Sequence, residues 1–360
     1  MNVLIITGRC GMGHVSAANA LKEEIETARG DANVTVVDII DYLFAPISNG
    51  MYKVFDLMVG KTPRLYNTCN RLNEHFLALP LKKWFTRRFQ ALVDMYEPDL
   101  LISTWPVGAR YIGEYKELTG NDIPYITCIT DMAPHKEWLS KTTSAYIVGS
   151  EITKNGLLER GISEEKIYVA GIPVKQAFKE TGNAGAAVKA GRKEVLIMGG
   201  GLGLIPGIEE VLAHFADDNG THVTVVTGSN RKMKERLDEN FSSSESIDIV
   251  GYTDAVADYM KNADCLVTKA GGITMFEAIN SETPLLVIPP FFEQEKDNAE
   301  YIESRGIGVV FKGESEEWPE QIEKVLAAET KSSSMIANMR KIKAENGKNA
   351  PAQAIAALCG

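Results

Sequence analysis

Two short segments hold residues that can remove a proton from a substrate. In GMGH at 11–14, His14 follows a glycine turn and stands where a helix is expected to begin. An imidazole with a pKa of about 6.5 accepts a proton at neutral pH, and a helix N-terminus lowers that pKa. In TDMAPHKEW at 130–138, Asp131 ends an expected strand, where it can orient His14 or act as a second base. A structural histidine beside an ordinary turn is the alternative interpretation, and the same segment supplies two further residues expected to line the site, His135 and Trp138.

Two glycine turns have the composition of a phosphate-binding site. GGGLG at 199–203 follows an apolar run, and Gly271 and Gly272 stand where another helix is expected to begin. Glycines let backbone N–H groups approach a phosphate, and a helix N-terminus favours its negative charge. Because the first turn does not fit the pattern GxGxxG, a tight strand-to-helix turn without a ligand is the alternative.

Polar side chains near these turns suit a ligand with many hydroxyl groups. Glu277 lies about one turn into the helix that follows the second glycine turn, where it can accept hydrogen bonds from ribose hydroxyls. Gln294, Glu295 and Asn298 follow the apolar run at 284–288, and their amides and carboxylate can bind sugar hydroxyls. Solvent-facing helix positions are the alternative. With the glycine turns, these residues predict a site for a ligand that carries both phosphate and hydroxyl groups.

The elements that position these residues are short apolar runs that alternate with helix-like stretches. Continuous apolar runs are typical of parallel strands covered on both faces, and their alternation with helices predicts doubly wound α/β layers. Such sheets bind ligands at the carboxyl ends of their strands. The runs lie at 3–7, 34–40, 99–103, 125–130, 145–148, 195–198, 222–227, 247–250, 265–268, 284–288 and 308–311.

The strand–glycine–helix pattern occurs twice, which predicts two domains. It begins at VLIITGRCGMGH (3–14) and again at VLIMGGGLGLIPG (195–207), and the small, polar stretch at 181–193 reads as a linker. We therefore predict two Rossmann-like domains of α/β class that face each other across a cleft. Their expected extents are 1–175 and 190–345, with a closing helix within 346–360.

Composition excludes several classes of protein. The chain has 360 residues, of which 44% are hydrophobic and 24% charged, as in ordinary globular proteins. Its five cysteines are scattered and form no CxxC, which favours a reduced, cytoplasmic protein. No apolar run approaches the roughly 20 residues of a membrane helix, and the net charge of −10 argues against nucleic acid. Without a DxD, an HExxH or clustered Cys and His residues, we expect no metal.

Jointly, the motifs resemble glycosyltransferase family 28, in the glycolipid-synthase branch that holds processive diacylglycerol glucosyltransferases and monogalactosyldiacylglycerol synthases. The resemblance extends over nearly the whole chain and implies a GT-B fold with inverting, metal-independent transfer. It rests on the loop before His14, TD…H…W at 130–138, VGSEITKNGLLERGISEEKIYVAGIPV (148–174), GGGLG (199–203), GSNRKMKERL (228–237), GYTDAV (251–256), KAGGITMFEA (269–278) and PPFFEQEKDNA (289–299).

The resemblance also implies roles for particular residues. The base is His14, supported by Asp131, and the acceptor binds in the N-terminal domain with contributions from Gly13, His135 and Trp138. The donor is a UDP-hexose, which is a co-substrate. No cofactor is expected. The implied donor-binding residues are Gly200, Gly201, Gly203, Ser229, Tyr252, Thr253, Gly271, Gly272, Ile273, Thr274, Glu277, Gln294, Glu295 and Asn298.

One segment reverses the negative charge of the chain. Residues 51–90 hold eight basic and two acidic side chains together with seven aromatic residues. Cations near an anionic bilayer contribute roughly 1 kcal/mol each, so we expect this segment to bind the inner face of the cell membrane peripherally and to admit a lipid acceptor of the diacylglycerol type. An ordinary amphipathic helix is the alternative. The residues expected at the membrane are Lys82, Lys83, Trp84, Phe85, Arg87 and Arg88, with Phe89 beside them.

Other functions remain open at this point. A transferase that acts on a polyprenyl-linked precursor or a soluble aglycone is the nearest alternative. A UDP-N-acetylglucosamine 2-epimerase would share the architecture but needs neither a second substrate nor a membrane, so the basic segment argues against it. A binding protein without catalytic activity would bind UDP and consume no acceptor.

Overall fold

The chain divides into two compact units. The computed structural model describes residues 1–10, 12–61, 82–180, 191–201, 203, 205–218, 220–289, 293–347 and 350–359. The first unit consists of Met1–Gln176 together with Asn346–Gly360, and the second of Ala177–Glu345. The linker predicted at 181–193 lies outside the described residues as far as residue 190.

A parallel sheet forms the centre of the first unit. Its strands lie in the order β2-β1-β3-β4-β5-β6, and each neighbouring pair is parallel. The order reverses between β1 and β3, which is where α/β sheets bind ligands. The strands are β1 (Asn2–Thr7), β2 (Asn33–Asp38), β3 (Leu100–Ser103), β4 (Tyr125–Cys128), β5 (Ala145–Val148) and β6 (Ile167–Val169).

Helices cover both faces of this sheet. Leu4 and Ile6 of β1 lie in one apolar core, whereas Val3 and Ile5 lie in another. Because successive strand residues point to opposite faces, both faces are buried, which explains why the apolar runs do not alternate. The helices are α1 (Met12–Ala28), α2 (Ile39–Phe44), α3 (Ser48–Lys61), α4 (Lys82–Tyr96), α5 (Pro106–Thr119) and α6 (Glu151–Leu158), with 3-10 turns at Lys136–Trp138 and Glu164–Lys166.

Local signals fix the ends of several of these helices. The Asp38 carboxylate accepts hydrogen bonds from the backbone N–H groups of Ile40 and Asp41 and so caps α2. Pro106 stands in the first turn of α5, and Gly120 ends that helix in the left-handed region with φ 69°. Asp38 and Pro106 thus start helices at the carboxyl ends of β2 and β3, and Gly120 ends α5 before the chain returns to β4.

The second unit also has a parallel sheet at its centre, with a different strand order. Its strands lie in the order β12-β11-β10-β7-β8-β9 and are again parallel. The order reverses between β7 and β10, whose carboxyl ends are level because Met198 is paired with Thr268. The strands are β7 (Lys193–Met198), β8 (Thr221–Val226), β9 (Ile247–Val250), β10 (Cys265–Thr268), β11 (Leu285–Val287) and β12 (Gly308–Val310).

Helices at 208–215 and 318–327 pack on a core of the second unit that includes Val195, Ile197, Phe215, Leu286 and Ile322. Among the helices of this unit, the first spans the boundary between the units. In chain order they are α7 (Gln176–Lys179), α8 (Ile208–Phe215), α9 (Arg231–Phe241), α10 (Val256–Asn262), α11 (Gly272–Ser281), α12 (Glu293–Ser304), α13 (Trp318–Ala327) and α14 (Glu329–Glu345), with a 3-10 turn at Ser315–Glu317.

The last helix, α15 (Ala350–Cys359), belongs to the first unit. Its Ala354 and Ile355 are buried in the same core as Val3 and Ile5 of β1. The α/β class predicted from the sequence is confirmed by these two parallel sheets. Within the described ranges, no helix has both the length and the apolar composition needed to cross a membrane.

Candidate functional site

His14 stands at the point of the first unit where the strand order reverses. It is the third residue of α1, which follows β1. Thr104 follows β3, and its hydroxyl donates a hydrogen bond of 2.9 Å to the backbone oxygen of His14. The same hydroxyl lies 3.0 Å from Oγ1 of Thr7, at the end of β1. Because Thr104 and Thr7 are buried, the backbone that carries His14 is held to both strands.

The imidazole of His14 is oriented by a residue that the sequence analysis did not single out. Its Nδ1 lies 3.0 Å from Oγ1 of Thr130, which is buried just beyond the end of β4. The ring of Trp138 meets the imidazole edge-on, with 6.2 Å between the ring centroids. With Nδ1 engaged by Thr130, Nε2 is the nitrogen that can act on a substrate. The only sequence signal for Thr130 is its place beside Asp131 at the end of an apolar run.

Burial sets the charge of this imidazole. Desolvation lowers the pKa of His14, while the negative charge of Asp131 and a hydrogen bond with the Thr104 backbone act in the opposite direction. The net effect is a lowered pKa, so the ring is neutral at pH 7 and can accept a proton. The direction agrees with the prediction, but its main cause is burial and not the helix N-terminus.

Asp131 acts on His14 through its charge. Its Oδ2 accepts a hydrogen bond of 2.9 Å from Nε1 of Trp138, and Trp138 is fully buried. This burial corrects the expectation that Trp138 lines the acceptor site, because the indole is closed to a ligand and instead holds the Asp131 carboxylate. His135 and Gly13 are half-buried, and their place at the acceptor site stays a prediction.

In the second unit, the first glycine turn is folded back on the loop after β8. Gly200 and Gly203 are in the left-handed region with φ 69° and 59°, and the N–H of Gly203 donates to the Gly200 oxygen. A Cβ on Gly203 would lie 2.0 Å from the backbone oxygen of Thr227. Ser229 fastens the same turn, because its hydroxyl donates a hydrogen bond of 2.8 Å to the oxygen of Gly201.

The second glycine turn lies beside the first, because β10 and β7 are neighbours. Gly271 caps the start of α11, so the N–H groups of its first turn have no partner inside the helix. The side chain of Ile273 is buried, which leaves its backbone N–H as the group available to a ligand. Gly272 and Thr274 are half-buried in the same turn.

The polar residues of α12 lie against this turn. Asn298 is 3% exposed, and its Nδ2 donates a hydrogen bond of 2.9 Å to the oxygen of Ala270. In the part of the chain that the structure describes, its Oδ1 has no hydrogen-bond partner, so it can accept from a ligand hydroxyl. Glu295 is buried and forms an ion pair of 3.7 Å with Lys269. The side chain of Gln294, and residues 290–292 before it, lie outside the described residues.

Three further predicted donor residues lie at the edge of this region. Glu277 is half-buried on α11. The ring of Tyr252 is 72% exposed and therefore open to stacking by a base. Thr253 is occupied locally, because its hydroxyl accepts a hydrogen bond of 3.1 Å from the N–H of Ala255.

The structure corrects part of the predicted membrane surface. Phe85 and Phe89 of α4 are buried in the core of the first unit, where Phe85 stacks on Tyr111, so neither is available to a bilayer. Lys82 is paired with Glu114 at 2.9 Å. The side chains on the outer face are Lys83, Trp84, Arg87 and Arg88. Residues 62–81 of the basic segment lie outside the described part of the chain.

An exposed apolar row next to this face was missed by the sequence analysis. Ile47, Met51 and Val54 are 58%, 40% and 57% exposed. Ile47 directly precedes α3, and Met51 and Val54 lie within it, so their spacing places them along one side of the start of this helix. Phe44 of the preceding helix packs on Trp84 of α4 with 5.4 Å between ring centroids. The sequence pattern that indicates this row is the i, i+4, i+7 spacing of its aliphatic residues, and not the aromatic residues of the segment.

Comparison with known proteins gives matches over most of the chain. Residues 14–174 match the family described as monogalactosyldiacylglycerol (MGDG) synthase, and residues 194–355 match the glycosyltransferase family 28 C-terminal domain. The chain is 30% identical over 346 residues to a processive diacylglycerol beta-glucosyltransferase of Bacillus subtilis (strain 168), with 91% of this chain and 87% of the relative covered. It is also 30% identical over 365 residues to the enzyme of the same description from Bacillus licheniformis, with 96% and 92% covered.

Solved structures resemble the fold at low sequence identity. The glycotransferase of kitacinnamycin has a TM-score of 0.65 at 14% identity, with 99% of this chain and 98% of that chain covered. A UDP-GlcNAc 2-epimerase from Neisseria meningitidis, bound to UDP-GlcNAc, has a TM-score of 0.64 at 14% identity, with 99% of both chains covered. At such identity the likeness concerns the fold alone.

Proposed function

The chain belongs to glycosyltransferase family 28, in its monogalactosyldiacylglycerol-synthase branch, and from this premise we propose that it transfers a hexose from a UDP-sugar to the hydroxyl group of a diacylglycerol-type lipid. Its fold is GT-B, as predicted from the sequence, and its activity is that of a UDP-sugar-dependent glycosyltransferase of the hexosyltransferase type. Two relatives described as diacylglycerol glucosyltransferases support the lipid acceptor.

The observation that carries the proposal is the position of His14, at the point of the first sheet where the strand order reverses and with Nδ1 held 3.0 Å from Oγ1 of Thr130. Burial lowers the pKa of this imidazole, which favours the neutral form that accepts a proton. In the proposed step, Nε2 of His14 takes the proton from the acceptor hydroxyl while that oxygen attacks the anomeric carbon of the donor. The hydrogen bond to Thr130 holds the ring, and Asp131 stabilises the positive charge that the ring acquires. A positioned base of this kind contributes about 10²- to 10⁴-fold to a rate.

The second unit would bind the donor through its backbone. We assign the diphosphate to the amides of the turns at 199–203 and 271–272, where partial positive charge stabilises UDP as it leaves. The Oδ1 of Asn298, which has no hydrogen-bond partner among the residues that the structure describes, suits a sugar hydroxyl. We propose that this direct attack is a single displacement that inverts the anomeric centre, with the backbone amides of these turns stabilising the leaving diphosphate in place of a metal ion.

The outer face of the first unit suits a bilayer surface. The first unit carries exposed cations on α3 and α4, namely Lys53, Lys83, Arg87 and Arg88, together with the apolar row at the start of α3. Cations near an anionic leaflet contribute roughly 1 kcal/mol each, and apolar side chains enter its boundary. We propose peripheral binding to the inner, cytoplasmic face of the membrane, which would give the enzyme access to its lipid acceptor.

A screen of UDP-sugars against membrane lipids tests the proposal. The enzyme is incubated with UDP-glucose, UDP-galactose or UDP-N-acetylglucosamine and diacylglycerol in vesicles, with and without a metal chelator, and products are identified by mass spectrometry. We expect a hexosyl-diacylglycerol, unaffected by the chelator, whose anomeric configuration by NMR is opposite to that of the donor. Transfer only to a polyprenyl-linked or soluble acceptor, or epimerisation of the UDP-sugar alone, would contradict the proposal.

A further inference from the structure

Lys269 stands at the carboxyl end of β10, between the two glycine turns of the second unit. It directly follows Thr268, which is paired with Met198 at the end of β7. A Cβ placed on Gly200 would lie 4.0 Å from Cε of Lys269. The lysine side chain therefore reaches across from one turn to the other, at the point of the sheet where the strand order reverses.

The ammonium group of Lys269 forms an ion pair and still has N–H donors to offer a ligand. Its side chain is 23% exposed, and its Nζ lies 3.7 Å from Oε1 of Glu295, whose side chain is 10% exposed. That distance is an ion pair and is too long for a hydrogen bond. Among the residues described, Nζ donates no hydrogen bond, although an ammonium has three N–H donors. A buried carboxylate thus holds a cation that can still bind an anion.

We infer that Lys269 is a further catalytic residue, which binds the diphosphate of the UDP-sugar and stabilises the negative charge that UDP gains as it leaves. This inference rests on the proposed function, because it takes a nucleoside diphosphate as the leaving group. Helix amides supply partial charges equivalent to about half a unit, whereas the departing diphosphate gains a full negative charge. The ammonium supplies a full positive charge next to those amides.

The arrangement also gives Glu295 a second role. The sequence predicts Glu295 as a sugar contact, and the structure pairs it with Lys269. A carboxylate on α12 that holds the lysine beside the glycine turns acts as a positioning residue for the cation. Asn298, on the same helix, is fixed to the oxygen of Ala270 one residue beyond Lys269, so both residues of α12 order this short segment.

Binding of UDP and of uridine to the purified full-length protein tests the inference by calorimetry. Replacing the cation by Lys269→Met is expected to weaken UDP binding by about 10- to 100-fold, the effect of a hydrogen bond to a charged group, and to leave uridine binding unchanged. Lys269→Arg should retain most of the UDP affinity. Lys296→Met is the matched control, because Lys296 lies on α12 next to Glu295 with an exposed side chain.

Two results would overturn the inference. One is UDP affinity that is unchanged in Lys269→Met, and the other is an equal loss of affinity for UDP and uridine, which indicates a structural role. If Lys269→Met does not fold by circular dichroism, Lys269→Gln is measured in the same way and decides the question. A protein that binds UDP through Lys269 but glycosylates no lipid would contradict the proposed function and leave this inference standing.

Discussion

At the scale of single residues, the proposed chemistry of the first unit depends on one nitrogen of His14. Replacing this residue by alanine removes the proposed base and leaves untouched the turns of the second unit that we propose bind the donor. We expect His14→Ala to lower kcat by about 10²- to 10⁴-fold, with the Kd for UDP near that of the unchanged protein. Initial rates with saturating donor and calorimetry with UDP measure the two quantities. Undiminished turnover would remove His14 from the role of base.

The pH dependence of activity follows from the direction of the His14 shift. Burial lowers the pKa of His14 from its ordinary value of 6.5, and only the neutral ring accepts a proton. Activity should therefore be fully present above pH 6.5 and should be lost as the pH falls through the lowered pKa. A profile of kcat/KM between pH 4.5 and 8 measures this limb. An acid limb centred well above 6.5 would contradict the assignment.

Thr130 orients the base without touching the substrate, so it is a positioning residue. Thr130→Val keeps the shape of the side chain and removes the hydroxyl that contacts Nδ1 of His14 at 3.0 Å. We expect kcat to fall by about tenfold, which corresponds to the free energy of one hydrogen bond. The KM for the donor should be unchanged, and the pH at which kcat/KM falls on the acid side should shift. Thr130→Ser should restore both. Equal rates for the valine and serine variants would show that the hydroxyl is dispensable.

At the scale of elements, the turn after β7 depends on one close approach of two backbones. Gly203 has φ 59°, and a Cβ there would lie 2.0 Å from the oxygen of Thr227. Gly203→Ala is expected to lower the free energy of unfolding by about 2–4 kcal/mol, measured by chemical denaturation. Gly30→Ala is the control, because nothing lies within 4 Å of the added Cβ. Similar unfolding midpoints for both variants would contradict this account.

Strand-level patterns allow the sheets and the glycine turns to be predicted, because apolar runs and glycines are local signals. The partner of His14 could not be predicted in this way, since Thr130 reaches it only through the pairing of β1, β3 and β4. The exposed side of α4 was predicted in part. Phe85 and Phe89 recur four residues apart and face the core, whereas the intervening cations face out. Composition identified the basic helix. Which of its residues are buried and which are exposed depends on their positions around the helix axis.

At the scale of the whole molecule, the first unit is distinguished by its exposed cations and by containing both ends of the described chain. The chain carries a net charge of −10, and the exposed cations of α3 and α4 lie in the unit that carries the proposed base. The chain leaves this unit after Gln176 and returns at Asn346, where α15 buries Ile355 in the core beneath β1. The amino-terminal strand and the carboxyl-terminal helix therefore stabilise the same unit.

The apolar row on α3 leads to a prediction about membrane binding by the whole protein. Burying an aliphatic side chain contributes about 1.5–3 kcal/mol, so the double variant Ile47→Ser with Val54→Ser should bind anionic vesicles at least about tenfold more weakly. Charge loss by Lys83→Gln with Arg87→Gln should weaken binding to anionic vesicles at low salt and have little effect in high salt. Leu118→Ser is the control, because Leu118 and Ile47 are both 58% exposed and Leu118 lies on a different helix, α5. Vesicle flotation measures all three, and equal binding by the α3 double variant and the control would place the membrane contact elsewhere.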